Sequence, residues 1–149
     1  MKIDLPITYS GVRPGEEPDV LRLIADCQLT TEDLSAAMLQ DFIVCRRGNR
    51  IIGVVGLEVT KHGALLRSLA VAEGDRNQGV GGGLVGSAER YARSRGARTL
   101  YLLTMTAESF FARHHYRVFE RSAAPEGIQA TNEFKTLCPD SAVCMRKDL

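Results

Sequence analysis

The stretch Glu73 to Gly86, EGDRNQGVGGGLVG, is the part of this chain best equipped to do chemistry through its backbone. Glycine lacks the Cβ that keeps a ligand away from the main chain, and it tolerates backbone conformations that other residues avoid. Two motifs overlap here. Gly81-Gly82-Gly83-Leu84-Val85-Gly86 matches the dinucleotide fingerprint G-x-G-x-x-G, and Arg76-Asn77-Gln78-Gly79-Val80-Gly81 reads R-x-x-G-x-G. The Gly-Lys-Ser/Thr of a phosphate-binding P-loop is absent from this run. In the second frame, the N–H groups of Gln78, Gly79, Val80, Gly81, Gly82 and Gly83 can converge on an anion such as a pyrophosphate. The dipole of a following helix adds positive potential, and Arg76 adds a charge. Two further charges interrupt apolar strands: Glu58 in GVVGLEV and Arg67 in ALLRSLAV. Strand alternation places Arg67 on the face of Leu69 and Val71. A buried guanidinium there needs a partner.

These residues need elements to hold them. Ile7 to Val12 reads as a strand ending at Arg13-Pro14-Gly15. A helical stripe follows through Val20, Leu21, Leu23 and Ile24, and a second helical segment runs from Thr31 to Leu39 with Thr30 or Thr31 as N-cap. Phe42 to Cys45, Ile51 to Val59 and Ala64 to Val71 form an antiparallel meander, with Arg46 to Arg50 as a polar turn. A helix from Gly81 to Arg95 turns Leu84, Val85, Ala88, Tyr91 and Ala92 inward and Glu89, Arg90, Arg93 and Arg95 outward. Thr99 to Thr104 is an apolar strand. A short helix from Ala107 to His114, a strand from Tyr116 to Glu120, a helical segment from Pro125 to Phe134 and a strand from Ala142 to Met145 close the chain. Ala64–Val71, the glycine-led helix and Thr99–Thr104 make one right-handed βαβ crossover. The fold class is mixed α/β (α+β): about six or seven mostly antiparallel strands with helices on both faces.

That arrangement separates the two motifs. A dinucleotide fingerprint follows its strand through a tight turn, and an acidic residue ends the next strand. Here Ala72 to Val80 intervene, and the next strand ends in Thr104-Met105-Thr106. The R-x-x-G-x-G frame fits its context better, and the glycines from Gly81 onward then let the helix lie close to the sheet.

At 149 residues the chain fits one domain, 1–149, large enough to bury a core without disulfides or metal. A net charge of +1 gives no electrostatic case for nucleic acid or an acidic membrane surface. The N-terminus, MKIDLPITYS, lacks the apolar core of a signal peptide, and no apolar run is long enough to span a bilayer. The expected location is the cytoplasm. Cys27, Cys45, Cys138 and Cys144 form no C-x-x-C pair, so no metal is expected, and they read as small packing residues.

The loop in this context resembles the GNAT (GCN5-related) N-acetyltransferases over nearly the whole chain. The segments LLRSLAV, LYLLTMTAESFFARHHY and TNEFKTLCPDSAVCMRKDL resemble the small members associated with arsenic resistance, and LLT…FFARHHY resembles the acetyltransferase domain of N-acetylglutamate synthases. The resemblance implies that Arg76, Asn77, Gln78, Gly79, Val80, Gly81 and Gly82 hold the pyrophosphate of acetyl-CoA. It implies that Leu69, Ala70 and Val71 lend backbone groups to the pantetheine arm, with an N–H of Leu69 or Val71 as oxyanion donor. The strands Ala64–Val71 and Thr99–Thr104 would splay apart around the cofactor, bringing in Thr104 and Phe110. The implied acceptor is an α-amine of a glutamate-like or arsinothricin-like compound, and dimers are common in the family.

Transfer to an amine needs a base and an acid. Glu58 is the candidate base; a solvent-facing strand-end carboxylate is the alternative. The family's tyrosine acid falls at Phe111 here, so the usual acid is missing, and Ser141 is the substitute that the closing strand suggests, against plain hydrogen bonding at a strand start. Arg67 could grip an acceptor carboxylate bidentately or pair with Glu58. Thr131, Glu133 and Thr104 are further acceptor-site candidates. His114 and His115 read as cap and surface residues. A non-catalytic acetyl-CoA-binding module, an acetyltransferase for an unrelated small amine, and an NAD(P)-binding protein are the competing readings.

Overall fold

The computed structural model describes residues 5–149. Its elements are β1 (Ile7–Gly11), α1 (Glu17–Asp26), α2 (Ala36–Leu39), β2 (Phe42–Arg47), β3 (Arg50–Thr60), β4 (Gly63–Val71), α3 (Val80–Ser94), β5 (Thr99–Thr104), α4 (Glu108–Arg113), β6 (Arg117–Val118), α5 (Glu126–Gln129) and β7 (Val143–Asp148). The seven strands form one sheet in the order β1-β2-β3-β4-β5-β7-β6. β1–β2, β2–β3, β5–β7 and β6–β7 pair antiparallel, and β4–β5 pair in parallel across α3. This is the mixed, mostly antiparallel α/β sheet that the sequence predicts.

The chain divides into two compact units, one formed by the residues up to Gly56 with Ser68–Ala88, the other by Leu57–Arg67 with Glu89–Leu149. In the first, Val20, Ile24, Leu39, Phe42, Val44, Val54 and Ala70 make the core. Gly56 pairs with Phe42 across β2–β3 and leaves room for its ring: a Cβ there would lie 2.3 Å from the ring Cζ. In the second unit the core is Leu65, Tyr101, Ala124, Ile128, Phe134 and Cys144. There β4 pairs with β5 at Ala64↔Leu100 and Leu65↔Tyr101, while β5 pairs with β7 from Thr99↔Asp148 to Thr104↔Val143.

Several local expectations change. The N-cap of α2 is Ser35, whose hydroxyl accepts from the Met38 N–H at 3.2 Å, not Thr30 or Thr31. Thr31 instead opens a turn through its carbonyl, which accepts from the Leu34 N–H. The segment from Pro125 to Phe134 is not one helix. Thr131 donates its hydroxyl to the Ile128 carbonyl at 2.7 Å, competing with the main chain, and the backbone resumes as a π-helical turn over Glu133–Leu137. The polar turn between β2 and β3 shrinks to Gly48-Asn49, because β2 runs on to Arg47.

Arg46 is therefore a core residue with no side-chain exposure. It donates to both carboxylate oxygens of Glu16, at 2.5 and 2.9 Å, to the Gly11 carbonyl at 2.8 Å and to the Ser10 hydroxyl. Four acceptors, one pair of them a carboxylate, thus meet the five N–H donors of the guanidinium, and this pairing lets it be buried. Among the described residues no helix is long and apolar enough to cross a membrane.

Candidate active site

The glycine-rich loop belongs to the first unit. After β4 ends at Val71, a 3-10 turn covers Glu73–Asp75, and α3 begins at Val80. Asn77 and Gly79 both take left-handed backbone conformations, with φ of 63° and 82°. At Gly79 the conformation, not crowding, demands glycine, because nothing lies within 4 Å of where a Cβ would stand. The first helical bond runs from the Gly83 N–H to the Gly79 carbonyl at 3.0 Å. The N–H groups of Val80, Gly81 and Gly82 precede it, at the positive end of a 15-residue helix. Gly83 serves packing: a Cβ there would stand 2.1 Å from the Tyr9 hydroxyl of β1. The overlapping motifs thus divide their labour, with Gly79 shaping the loop and Gly83 bringing α3 against a neighbouring side chain.

Arg76 does not point freely outward. Its Nε donates to the Val71 carbonyl at 3.0 Å and its Nη2 to Cys27 Sγ at 3.5 Å. Cys27 Sγ in turn donates to the Val71 carbonyl at 3.6 Å. The sequence reading of Cys27 as a mere packing residue is incomplete, since its thiol is half-buried beside the guanidinium. Asp75, next to Arg76, is buried and sits 3.6 Å from Arg47 Nε and 3.5 Å from Arg50 Nη1. Arg47 Nη2 also donates to Gln78 Oε1 at 3.1 Å. Arg47 and Arg50, read from sequence as part of a polar turn, thereby tie the β2–β3 hairpin to the loop.

The second unit gathers the charged acceptor candidates. Arg67 has no side-chain exposure; its Nη1 donates to Glu58 Oε2 at 2.8 Å, and its Nε lies 3.6 Å from Glu133 Oε1. Glu58 and Glu133 retain 20% and 10% side-chain exposure, so the buried cation is met by two carboxylates near the surface. Ser68, immediately after Arg67, has a φ of 57°, in the left-handed backbone region. The strict two-residue alternation through Arg67, Leu69 and Val71 is therefore interrupted at Ser68. Glu133 heads the π-helical turn, and Arg121 fixes that segment by donating to the carbonyls of Phe134, Cys138 and Pro139 at 2.8, 3.3 and 2.7 Å. The sequence reading did not single out Arg121. Thr131 is buried, its hydroxyl committed to the Ile128 carbonyl.

Thr104 accepts from the Ala107 N–H at 3.0 Å and so organises the start of α4. Phe110 packs edge-on to Phe111, with ring centroids 5.1 Å apart, and against His114 at 4.6 Å. Phe111 is buried against Tyr116. His114 caps α4 and His115 takes a left-handed turn, as expected of cap and surface residues. Ser141 is exposed, two positions before β7.

Glu89 departs from the sequence reading, which put it on the solvent face of α3. It is buried, accepting from the Tyr116 hydroxyl at 2.9 Å and from Lys147 Nζ at 3.0 Å on both oxygens. Burial and the Glu89 charge push the Tyr116 hydroxyl well above the usual tyrosine range, so it stays a donor. The signal was present in the sequence, since Glu89 follows Val85 by four residues and precedes Ala92 by three, on the apolar stripe. Among the described residues no group of three or more His, Cys, Asp or Glu could hold a metal ion.

A profile of the Acetyltransferase (GNAT) family matches residues 11–119. An uncharacterised N-acetyltransferase of Chlorobaculum tepidum is 33% identical over 109 residues, 71% of this chain and 66% of that protein. Among solved structures, N-acetylglutamate synthase from Neisseria gonorrhoeae, complexed with coenzyme A and N-acetyl-glutamate, superposes with a TM-score of 0.85 at 15% identity, over 99% of this chain and 36% of that one. A Mycobacterium tuberculosis protein solved with CoA superposes with a TM-score of 0.81 at 19% identity, over 95% of this chain and 99% of that one. At these identities the structural likeness is one of fold. The chain thus spans about a third of the synthase and just under two thirds of its curated relative.

Proposed function

Because the chain belongs to the GNAT acetyltransferase family, we propose that it is an N-acetyltransferase. Working as one domain over 1–149, it transfers the acetyl group of acetyl-CoA directly to the α-amine of a small amino-acid-like acceptor. The loop carries the cosubstrate half of this reading. Gly79 in its left-handed conformation and the helix-start N–H groups of Val80, Gly81 and Gly82 suit a pyrophosphate. Arg76, with Asn77 and Gln78 beside it, supplies charge and donors once its guanidinium leaves the Val71 carbonyl. The backbone of Leu69, Ala70 and Val71 pairs with the pantetheine arm, and an N–H of Leu69 or Val71 stabilises the developing oxyanion. Thr104 and Phe110 complete the cosubstrate contacts.

The acceptor half rests on the Glu58–Arg67–Glu133 cluster. The acceptor's ammonium loses a proton to Glu58. The free amine attacks the thioester carbonyl, the C–S bond breaks, and the remaining proton on the amine nitrogen passes to the CoA thiolate through the Ser141 hydroxyl, which relays it where Phe111 offers no hydroxyl. Arg67, Glu133 and Thr131 position an acceptor carrying both amine and carboxylate. That pairing of groups supports a glutamate-like or arsinothricin-like compound, and with it a role in resistance to arsenic-containing antibiotics. The N-acetyl-glutamate named with the Neisseria synthase is in keeping with this class.

One observation favours a second reading. Phe111 is buried against Tyr116 and offers no proton, which suits a module that binds acetyl-CoA without turnover. Incubation with acetyl-CoA and a panel of amines, following thiol release, separates the two. The panel includes L-glutamate, arsinothricin and amines lacking a carboxylate. Turnover confined to α-amino acids supports the proposal. Tight acetyl-CoA binding with no turnover on any amine supports the binding module.

A further inference from the structure

We propose that Arg47 and Arg50 form a phosphate-monoester subsite that takes the 3′-phosphate of CoA; this rests on the acetyl-CoA reading above. The two arginines face each other across the Gly48-Asn49 turn, as the last residue of β2 and the first of β3, paired in register. Buried Asp75 holds both, 3.6 Å from Arg47 Nε and 3.5 Å from Arg50 Nη1. Arg47 Nη2 also reaches Gln78 Oε1 at 3.1 Å, so the hairpin is fastened to the loop that would cradle the pyrophosphate.

The charges do not cancel. Arg47 and Arg50 share one buried carboxylate, Asp75, and Arg76 is held by a carbonyl and a thiol, while neighbouring Arg46 is already neutralised by Glu16. An excess cation remains beside a loop that already has donors for a pyrophosphate. Beyond its pyrophosphate, CoA carries one more anion, the 3′-phosphate on its ribose. Guanidinium forks suit the three oxygens of a phosphate monoester. Arg50 keeps 63% of its side chain exposed, so it can turn toward a phosphate without leaving a buried partner bare, because Arg47 stays with Asp75.

Calorimetric titration of the full chain with CoA, dephospho-CoA and inorganic phosphate tests this. Wild type should bind CoA about tenfold more tightly than dephospho-CoA, the value of one charge-assisted hydrogen bond. Arg50→Gln should erase that preference by weakening CoA alone, and Arg47→Gln/Arg50→Gln should leave dephospho-CoA the equal of CoA. Inorganic phosphate should compete with CoA more strongly than with dephospho-CoA. Equal binding of both nucleotides by wild type, or an unchanged preference in the double variant, overturns the subsite while leaving the acetyl-CoA reading intact. Equal competition by phosphate against both marks a general anion surface and overturns it too. If wild type binds neither nucleotide, the acetyl-CoA reading fails and takes the subsite with it.

Discussion

Replacing Glu58 by glutamine separates a catalytic base from a structural counterion. The substitution keeps shape and removes charge. Arg67 loses its 2.8 Å charge-assisted hydrogen bond but keeps Glu133 at 3.6 Å as countercharge. The stability loss should therefore match one hydrogen bond to a charged group, about 2 kcal/mol, and stay below the roughly 3–5 kcal/mol of an orphaned buried ion. For a chain of this length that corresponds to a melting temperature lower by about 6 °C. Turnover discriminates where stability does not. Loss of a general base costs about 10²–10⁴ in kcat, whereas loss of a counterion alone leaves kcat nearly unchanged once the protein is folded. The assay is thiol release from acetyl-CoA with the best acceptor of the amine panel, at a temperature well below the variant's melting point. A parallel titration should show acetyl-CoA affinity unaltered. A variant that melts lower yet keeps kcat within about threefold of wild type would falsify the assignment of Glu58 as base. Glu133→Gln is the companion: it should raise the acceptor KM more than it lowers kcat.

The loop glycines make opposite demands. Gly79→Ala should weaken acetyl-CoA binding through roughly 1–2 kcal/mol of left-handed strain, whereas Gly83→Ala should lower the melting temperature through about 1–3 kcal/mol of overpacking against Tyr9; identical effects in titration and melting would contradict the division. Hydrogen bonds from Arg46 hold the Glu16 carboxyl below its ordinary 4.5. A lowered folded-state pKa stabilises fully above the ordinary value and is lost as pH falls through the folded one. Glu16→Gln should thus melt lower at neutral pH, with the gap to wild type closing in acid; a gap independent of pH would rule out the pairing. Burial pushes the Cys144 thiol up to about 11 and raises that of Cys45, so both should resist iodoacetamide until the protein unfolds. Cys27 should react in the native protein and slow when acetyl-CoA draws Arg76 away, measured by mass spectrometry of the alkylated peptides. Unchanged Cys27 reactivity would mean that Arg76 stays on the Val71 carbonyl.

Much of the fold is local and was legible. Strand periodicity located β2 to β5, the glycine loop announced α3, and the order of elements implied a mixed sheet with one parallel pair. R-x-x-G-x-G could be preferred over G-x-G-x-x-G because the residues between β4 and α3 are visible in the chain. Glu58 and Arg67 stand out because each interrupts an apolar strand, and a pair between them is one of the two roles that the sequence leaves open for Arg67. Element ends were less legible where a single hydroxyl decides them, as Ser35 and Thr131 do.

The amino-acid sequence determined what depends on neighbours within a few positions: which segments are strands, which is the amphipathic helix, and where glycines strip the backbone of side chains. Tertiary structure decided which charges are buried and with whom. Arg46 meets Glu16 across 30 positions, Arg50 meets buried Asp75 across 25, and Lys147 meets Glu89 across 58. A charged side chain looks solvated in sequence unless its counterion is known. Such counterions come from elements far apart in the chain, so only packing of the sheet and its helices selects them. Burial of these ions is tolerated because their partners arrive together with the fold.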